Sequence, residues 1–136
     1  MRVVLDTNVV VSAVLFGGLP RKILLRALHG EFDVVTTVRL MDEFQDVLTD
    51  SFDLEPEIAR TAPAEYELLA EVVRPRQIPR VACDPDDNDV LAAARSGDAE
   101  FVVTGDHDLL ALREYDGRRI LTLRQFEEHL DPGSPG

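Results

Sequence analysis

Four stretches of this chain set acidic side chains beside apolar runs. Asp6 directly follows Val3-Val4-Leu5, and Asp106 stands just beyond Phe101-Val102-Val103. Between them come Glu43 and the dense run Asp84-Pro85-Asp86-Asp87-Asn88-Asp89. A carboxylate at the C-terminal end of a buried parallel strand lies where open α/β sheets place their ligands. Carboxylates brought there from distant parts of the chain would form a hard-cation site suited to Mg²⁺ or Mn²⁺. Such an ion acidifies water into a nucleophile, and a second ion about 3.5–4 Å away would stabilise a leaving oxygen. The chemistry implied is metal-dependent hydrolysis of a phosphodiester. No protein nucleophile is evident: the chain contains no G-x-S-x-G, no Walker lysine motif and no H-E-x-x-H.

Each acid has a plainer explanation. Asp6 is a good cap for a helix starting near Val9, although Thr7 and Asn8 can cap as well and leave Asp6 to face a crevice. Glu43 has the acids Asp42 and Asp46 beside it, as on a solvated helix face. It nevertheless lies three residues from Leu40 and four from Val47, on or beside the apolar stripe. The Asp84–Asp89 run holds four carboxylates in six residues at a helix start. Capping and the helix dipole account for one or two of them; the rest repel unless a cation screens them. Periodicity does not choose among Asp86, Asp87 and Asp89. In Thr104-Gly105-Asp106-His107-Asp108, Asp108 suits a helix cap and Asp106 suits the crevice. His107 reads as a surface histidine, and Cys83 as a small semi-buried residue without a histidine partner motif.

These residues need a scaffold, and the chain alternates strand and helix patterns. Residues 2–6, 32–37, 101–104 and 119–122 read as strands. Helices are expected over 21–28, closed by Gly30, and over 38–48, 89–95 and 123–130, with a short helical turn at 109–112. Residues 55–73 suggest one or two helices, with Pro63 interrupting. Residues 74–80 contain Pro75 and Pro79 and must be extended or looped. Continuous apolar strands between helices imply right-handed crossovers and a mostly parallel central sheet covered on both faces, a three-layer α/β/α sandwich. One domain over residues 1–130 and a flexible tail over 131–136 are expected.

At 136 residues with a net charge of −12, the chain is ordinary in hydrophobic content and unusual in charge. That balance opposes nonspecific nucleic-acid binding, although clustered acids that hold a cation account for part of it. Thirteen of the fourteen basic residues are arginine. They gather as Arg21-Lys22 with Arg26, as Arg74, Arg76 and Arg80, and as Arg118-Arg119. Arginine makes bidentate contacts to phosphate; genome base composition or a partner-binding surface are the plainer explanations. No apolar run spans a bilayer, and no signal-peptide layout is present. One cysteine excludes an intrachain disulfide and a cysteine-cluster zinc site, and it fits a reducing cytoplasm.

Together, the motifs resemble the PIN domain, the metal-dependent nuclease family that includes many toxin–antitoxin ribonucleases. The matching stretches are Leu5-Asp6-Thr7-Asn8, Glu43 within Leu40–Leu48, Cys83–Leu91 followed by Ala94, and Val103–Leu110. The resemblance implies that Asp6, Glu43, Asp87 and Asp106 surround Mg²⁺ or Mn²⁺. It selects Asp87 because that position precedes an apolar pair by three residues and an alanine by seven. Asn8, Thr104, Asp84 and Asp108 are implied as supporting residues. It further implies single-stranded RNA as substrate, a homodimer and a cognate antitoxin partner. The strong negative charge departs from that expectation at the RNA-binding face. Two other readings compete: a phosphatase using Asp6 as nucleophile, which would normally carry an acid where Asn8 stands, and a PIN-like module that only binds RNA or a partner.

Overall fold

The computed structural model describes residues 1–51, 54–80 and 85–132. In chain order the elements are β1 (Arg2–Leu5), α1 (Thr7–Leu15), α2 (Gly18–Leu28), β2 (Asp33–Thr36), α3 (Val38–Thr49), α4 (Pro56–Leu69) and β3 (Glu71–Val72). Then follow α5 (Pro85–Ser96), β4 (Phe101–Val103), α6 (His107–Leu112), β5 (Glu114–Tyr115), β6 (Arg118–Leu121) and α7 (Leu123–Leu130). The sheet order is β3-β2-β1-β4-β6-β5, parallel throughout except for the β5–β6 pair. This is the expected α/β/α sandwich with a mostly parallel sheet.

Alternating strand residues feed two separate cores. Val3, Leu5, Val34, Phe101 and Val103 pack with α1, α2, Phe44, Tyr66 and Phe126. Val4, Val35 and Val102 pack on the other face with Leu40, Leu109 and the α5 residues Val90, Leu91, Ala93 and Ala94. Small residues let α5 lie close to the sheet. A Cβ at Gly97, just past its end, would run into the Val35 side chain.

Local chemistry explains the boundaries. The α2 terminus is a Schellman motif: the Gly30 amide donates to the Ala27 carbonyl at 2.9 Å and the Glu31 amide to the Arg26 carbonyl at 3.1 Å, with Gly30 at φ +83°. Thr37 caps α3 by accepting from the Leu40 amide at 3.2 Å. Pro85 takes the first position of α5, so that helix begins four residues before the expected start at Asp89, and most of the aspartate run lies inside its first turns. Pro63 does not split α4; it lies inside one continuous helix with its ring buried. Two short strands escaped the sequence patterns. β3 has both residues exposed and pairs only with the edge of β2. β5 turns into β6 through Asp116 and Gly117, both at positive φ, the geometry that Asp-Gly hairpin turns require.

Of the expected tail, residues 133–136 lie outside the described residues, and Asp131 accepts two hydrogen bonds from Arg26 at 2.7 and 2.8 Å. Among the described residues no single helix is long and apolar enough to cross a membrane; α1 and α2 pass that test only together, bent by 103°.

Candidate active site

The chain runs from β1 outward through β2 and β3, then returns to place β4 on the other side of β1. The C-terminal ends of β1 and β4 therefore flank the switch point of the sheet, where α/β folds bind ligands. Leu5 pairs with Val103 across these strands, so Asp6 and Thr104 emerge side by side. The Asp6 amide donates to the Val103 carbonyl at 2.9 Å and fixes the exit of the chain.

Asp6 begins α1 but makes no capping bond with its side chain. Its Oδ2 instead accepts from the fully buried Thr104 hydroxyl at 2.6 Å. The same hydroxyl oxygen accepts from the Asp106 amide at 3.0 Å, so one threonine organises both carboxylate-bearing loops. Burial pushes the Asp6 carboxyl above the usual range, opposed by the Thr104 hydrogen bond and reinforced by the charge on Asp106. Asp106 itself caps α6, its Oδ1 accepting from the Asp108 amide at 3.0 Å. The expected division of labour is thus corrected. Asp106 provides the cap because it occupies the last extended residue, and Asp108 sits in the exposed first turn.

The structure brings Asp87, Asp106 and Asp108 together, one carboxylate oxygen from each lying within 4.8 Å of the others. Asp6 and Glu43 are not members of that trio but border it. Glu43 is half-buried, and its Oε2 accepts from the Thr7 hydroxyl at 3.4 Å, immediately after Asp6. Burial raises the Glu43 carboxyl, as do the negative charges of Asp86 and Asp6. Of the stripe that suggested Glu43, Leu40, Phe44 and Leu48 are buried while Val47 turns outward. Asp89 is also buried and pairs with Arg39 at 3.3 Å. Asn8 and His107 are exposed. Asp84 and Cys83 lie outside the described residues. Thr7 suits a cap by its sequence, and its part-buried link to Glu43 has no sequence signature of its own.

The donor set fits a divalent cation of the Mg²⁺ or Mn²⁺ type. The gathered donors are all hard carboxylate oxygens, drawn from two elements, with spacing compatible with one shared ion. Raised carboxyl groups at Asp6 and Glu43 mark a place where negative charge is costly without a countercharge.

Fold and site together define an α/β/α protein with an oxygen-donor centre at a sheet switch point. A family model for the PIN domain matches residues 2–108, and the chain belongs to the PIN domain family. The fold is similar to a solved structure described as VapBC2 from Rickettsia felis bound to a DNA fragment from their promoter. That likeness has a TM-score of 0.65 at 13% identity, covering 90% of this chain and 98% of the other. No curated protein matches the chain.

Proposed function

We propose that this protein is a metal-dependent endoribonuclease cleaving single-stranded RNA, and the toxin half of a toxin–antitoxin pair. The observation that carries the reading is the gathering of Asp87, Asp106 and Asp108 at the switch point, with Asp6 tied to the Asp106 loop through Thr104 and Glu43 near Asp6. Family membership and the likeness to a VapBC2 complex support the class. Asp6, Glu43, Asp87 and Asp106 hold Mg²⁺ or Mn²⁺, and Asp108 joins through its proximity to Asp87 and Asp106. A bound ion would supply charge neutralisation at the phosphate and acidified water for attack. Thr104 keeps Asp6 and the Asp106 loop in register, and Thr7 orients Glu43. Asn8 and Asp84 stand as supporting residues. The protein acts in the cytoplasm as a homodimer and is blocked by a cognate antitoxin, whose arginine would complement the acidic crevice.

The test incubates purified protein with an RNA carrying single-stranded loops, in Mn²⁺, in Mg²⁺ and in EDTA, beside Asp6→Asn. Cleavage in either metal, abolished by EDTA and reduced more than about 100-fold in the variant, is expected; that exceeds the 10–100-fold typical of losing an outer partner. A variant as active as the wild type would remove Asp6 from the centre. A folded, metal-binding protein without cleavage would favour a binding-only module. The phosphatase reading lacks its second acid, since the exposed Asn8 occupies that position.

A further inference from the structure

In a chain with 26 acidic and 14 basic residues, the fate of each arginine group is informative. The first group is consumed by structure. Arg21 donates to the Ala13 and Val14 carbonyls at 2.9 and 3.0 Å, closing the end of α1. Lys22 pairs with Glu127 at 3.2 Å, and Arg26 with Glu31 and Asp131 at 2.7 Å each. The third group is consumed too. Arg118 holds Asp98, Asp116 and the Ala94 carbonyl, and the Arg119 guanidinium lies 6.0 Å from the Phe101 ring centroid.

The second group behaves differently. Among the described residues neither Arg74 nor Arg76 enters an ion pair. Together with Arg95 they line a recess of about 400 Å³, completed by Gln77 and Ser96. Three arginines, a glutamine and a serine line it, and among the described residues no acidic residue does. Among the described residues the ion pair of Arg95 is a long one to Asp116, at 3.9 Å and exposed on both sides. Such long exposed pairs contribute little and yield to a better partner. Pro75 and Pro79 stiffen the segment that carries Arg74 and Arg76, which reduces the entropy lost on binding.

Position links this recess to the acidic centre. Arg74 also lines the adjoining groove that contains Arg39, Asp89 and Ala92. That groove follows α5, whose first turn carries Asp87 and whose last turn carries Arg95. Eight residues of helix at 1.5 Å rise separate the two, about 12 Å. One helix thus carries Asp87 of the carboxylate trio at one end and Arg95 of the arginine recess at the other.

We propose that the recess of Arg74, Arg76, Gln77, Arg95 and Ser96 binds the phosphodiester backbone of the substrate RNA, on one side of the cleaved bond. The proposal rests on the nuclease reading above. Planar guanidinium forks match phosphate oxygens bidentately. A polyanion repelled by a net charge of −12 needs a landing site rich in positive charge. An acidic peptide shares the charge but has no reason to continue into a carboxylate crevice, whereas a phosphodiester strand must reach it.

The test measures fluorescence anisotropy of a labelled single-stranded RNA in EDTA, where it is not cleaved, from 25 to ~200 mM salt. Wild type is compared with Arg74→Ala/Arg76→Ala, Arg95→Ala, and Arg60→Ala on α4 as control. The double variant should bind about tenfold or more weakly, with the log–log salt slope reduced by roughly 0.7 per lost phosphate contact. Arg74→Lys/Arg76→Lys, with a melting temperature equal to wild type, should keep the salt slope and lose affinity. Unchanged affinity and slope in the double variant, or no RNA binding by wild type, overturns the proposal. A poly-glutamate peptide binding the recess as tightly as RNA overturns it in favour of a protein partner. Cleavage in Mn²⁺ with KM unchanged in the double variant would reject the recess and leave the nuclease reading intact. Arginine-dependent RNA binding without cleavage would do the reverse.

Discussion

Two clusters of carboxylates in this molecule are electrostatic opposites. At the switch point, Asp6 and Glu43 are pushed up by burial and by neighbouring negative charge. At the other cluster, Glu31 and Asp131 converge on Arg26, which holds both well below the usual carboxylate range. Both clusters join distant parts of the chain: Thr104 reaches Asp6, and Arg26 reaches Asp131. In the second the charges are satisfied within the protein and fasten the end of α7 to α2. The first gathers like charges and partly desolvates them, and among the described residues Asp6 and Glu43 accept from the hydroxyls of Thr104 and Thr7. Charge arranged at the expense of stability supports the proposed metal centre at the switch point.

The sharpest way to break this contrast is Asp6→Asn. Beyond the loss of cleavage predicted above, metal-free Asp6→Asn should melt above the wild type, because it removes a charge whose burial opposes folding while keeping an oxygen to accept from Thr104. Differential scanning calorimetry in EDTA at neutral pH measures this. A lower melting temperature would mean that Asp6 contributes to stability as the Arg26 clamp does. Thr104→Val is the next largest effect. It keeps shape but strips the hydroxyl that serves both Asp6 and the Asp106 amide. Cleavage should fall roughly 10–100-fold, in the range seen when an outer partner of a metal ligand is lost. Thr104→Ser should restore most of kcat, which a purely steric role would not permit.

Much of this contrast was legible in the sequence, and the exceptions have physical causes. Apolar strands followed by Asp6 and Asp106 pointed to the ligand-binding end of a parallel sheet, because buried parallel strands are continuous hydrophobic runs, whereas the switch point follows from the strand order. The α7 boundaries are as expected, its start marked by a Thr122–Gln125 capping box. The edge strands were not legible by periodicity, since β3 buries neither residue; Asp116-Gly117 was a hairpin signal that the apolar pattern hides. The capping role of Asp106 could not be read because Asp106 and Asp108 are chemically identical, and only the position of the last extended residue assigns the cap. Likewise the Arg26 clamp joins residues 105 positions apart, which local pattern cannot reveal.

The smallest effect sharpens the comparison most cleanly, because the two clusters should respond to pH with opposite sign. Glu31 and Asp131 have folded-state values depressed below their unfolded ones. Their contribution is present above the ordinary carboxylate range and is lost as pH falls through the depressed folded values. The stability gap between wild type and Arg26→Ala should therefore be widest near neutrality and shrink on acidification. Asp6 has a folded-state value raised above its unfolded one. Its charge opposes folding above that raised value, and the opposition disappears as pH falls through it toward the unfolded value. The gap between wild type and metal-free Asp6→Asn should then also close on acidification, but with the opposite sign, the variant being the more stable of the two at neutrality. Urea titrations of the three proteins in EDTA across the acid range separate these cases. Two gaps of the same sign, with wild type the more stable in both, would mean that the crevice carboxylates are paired within the protein, and the contrast with the Arg26 clamp would be lost.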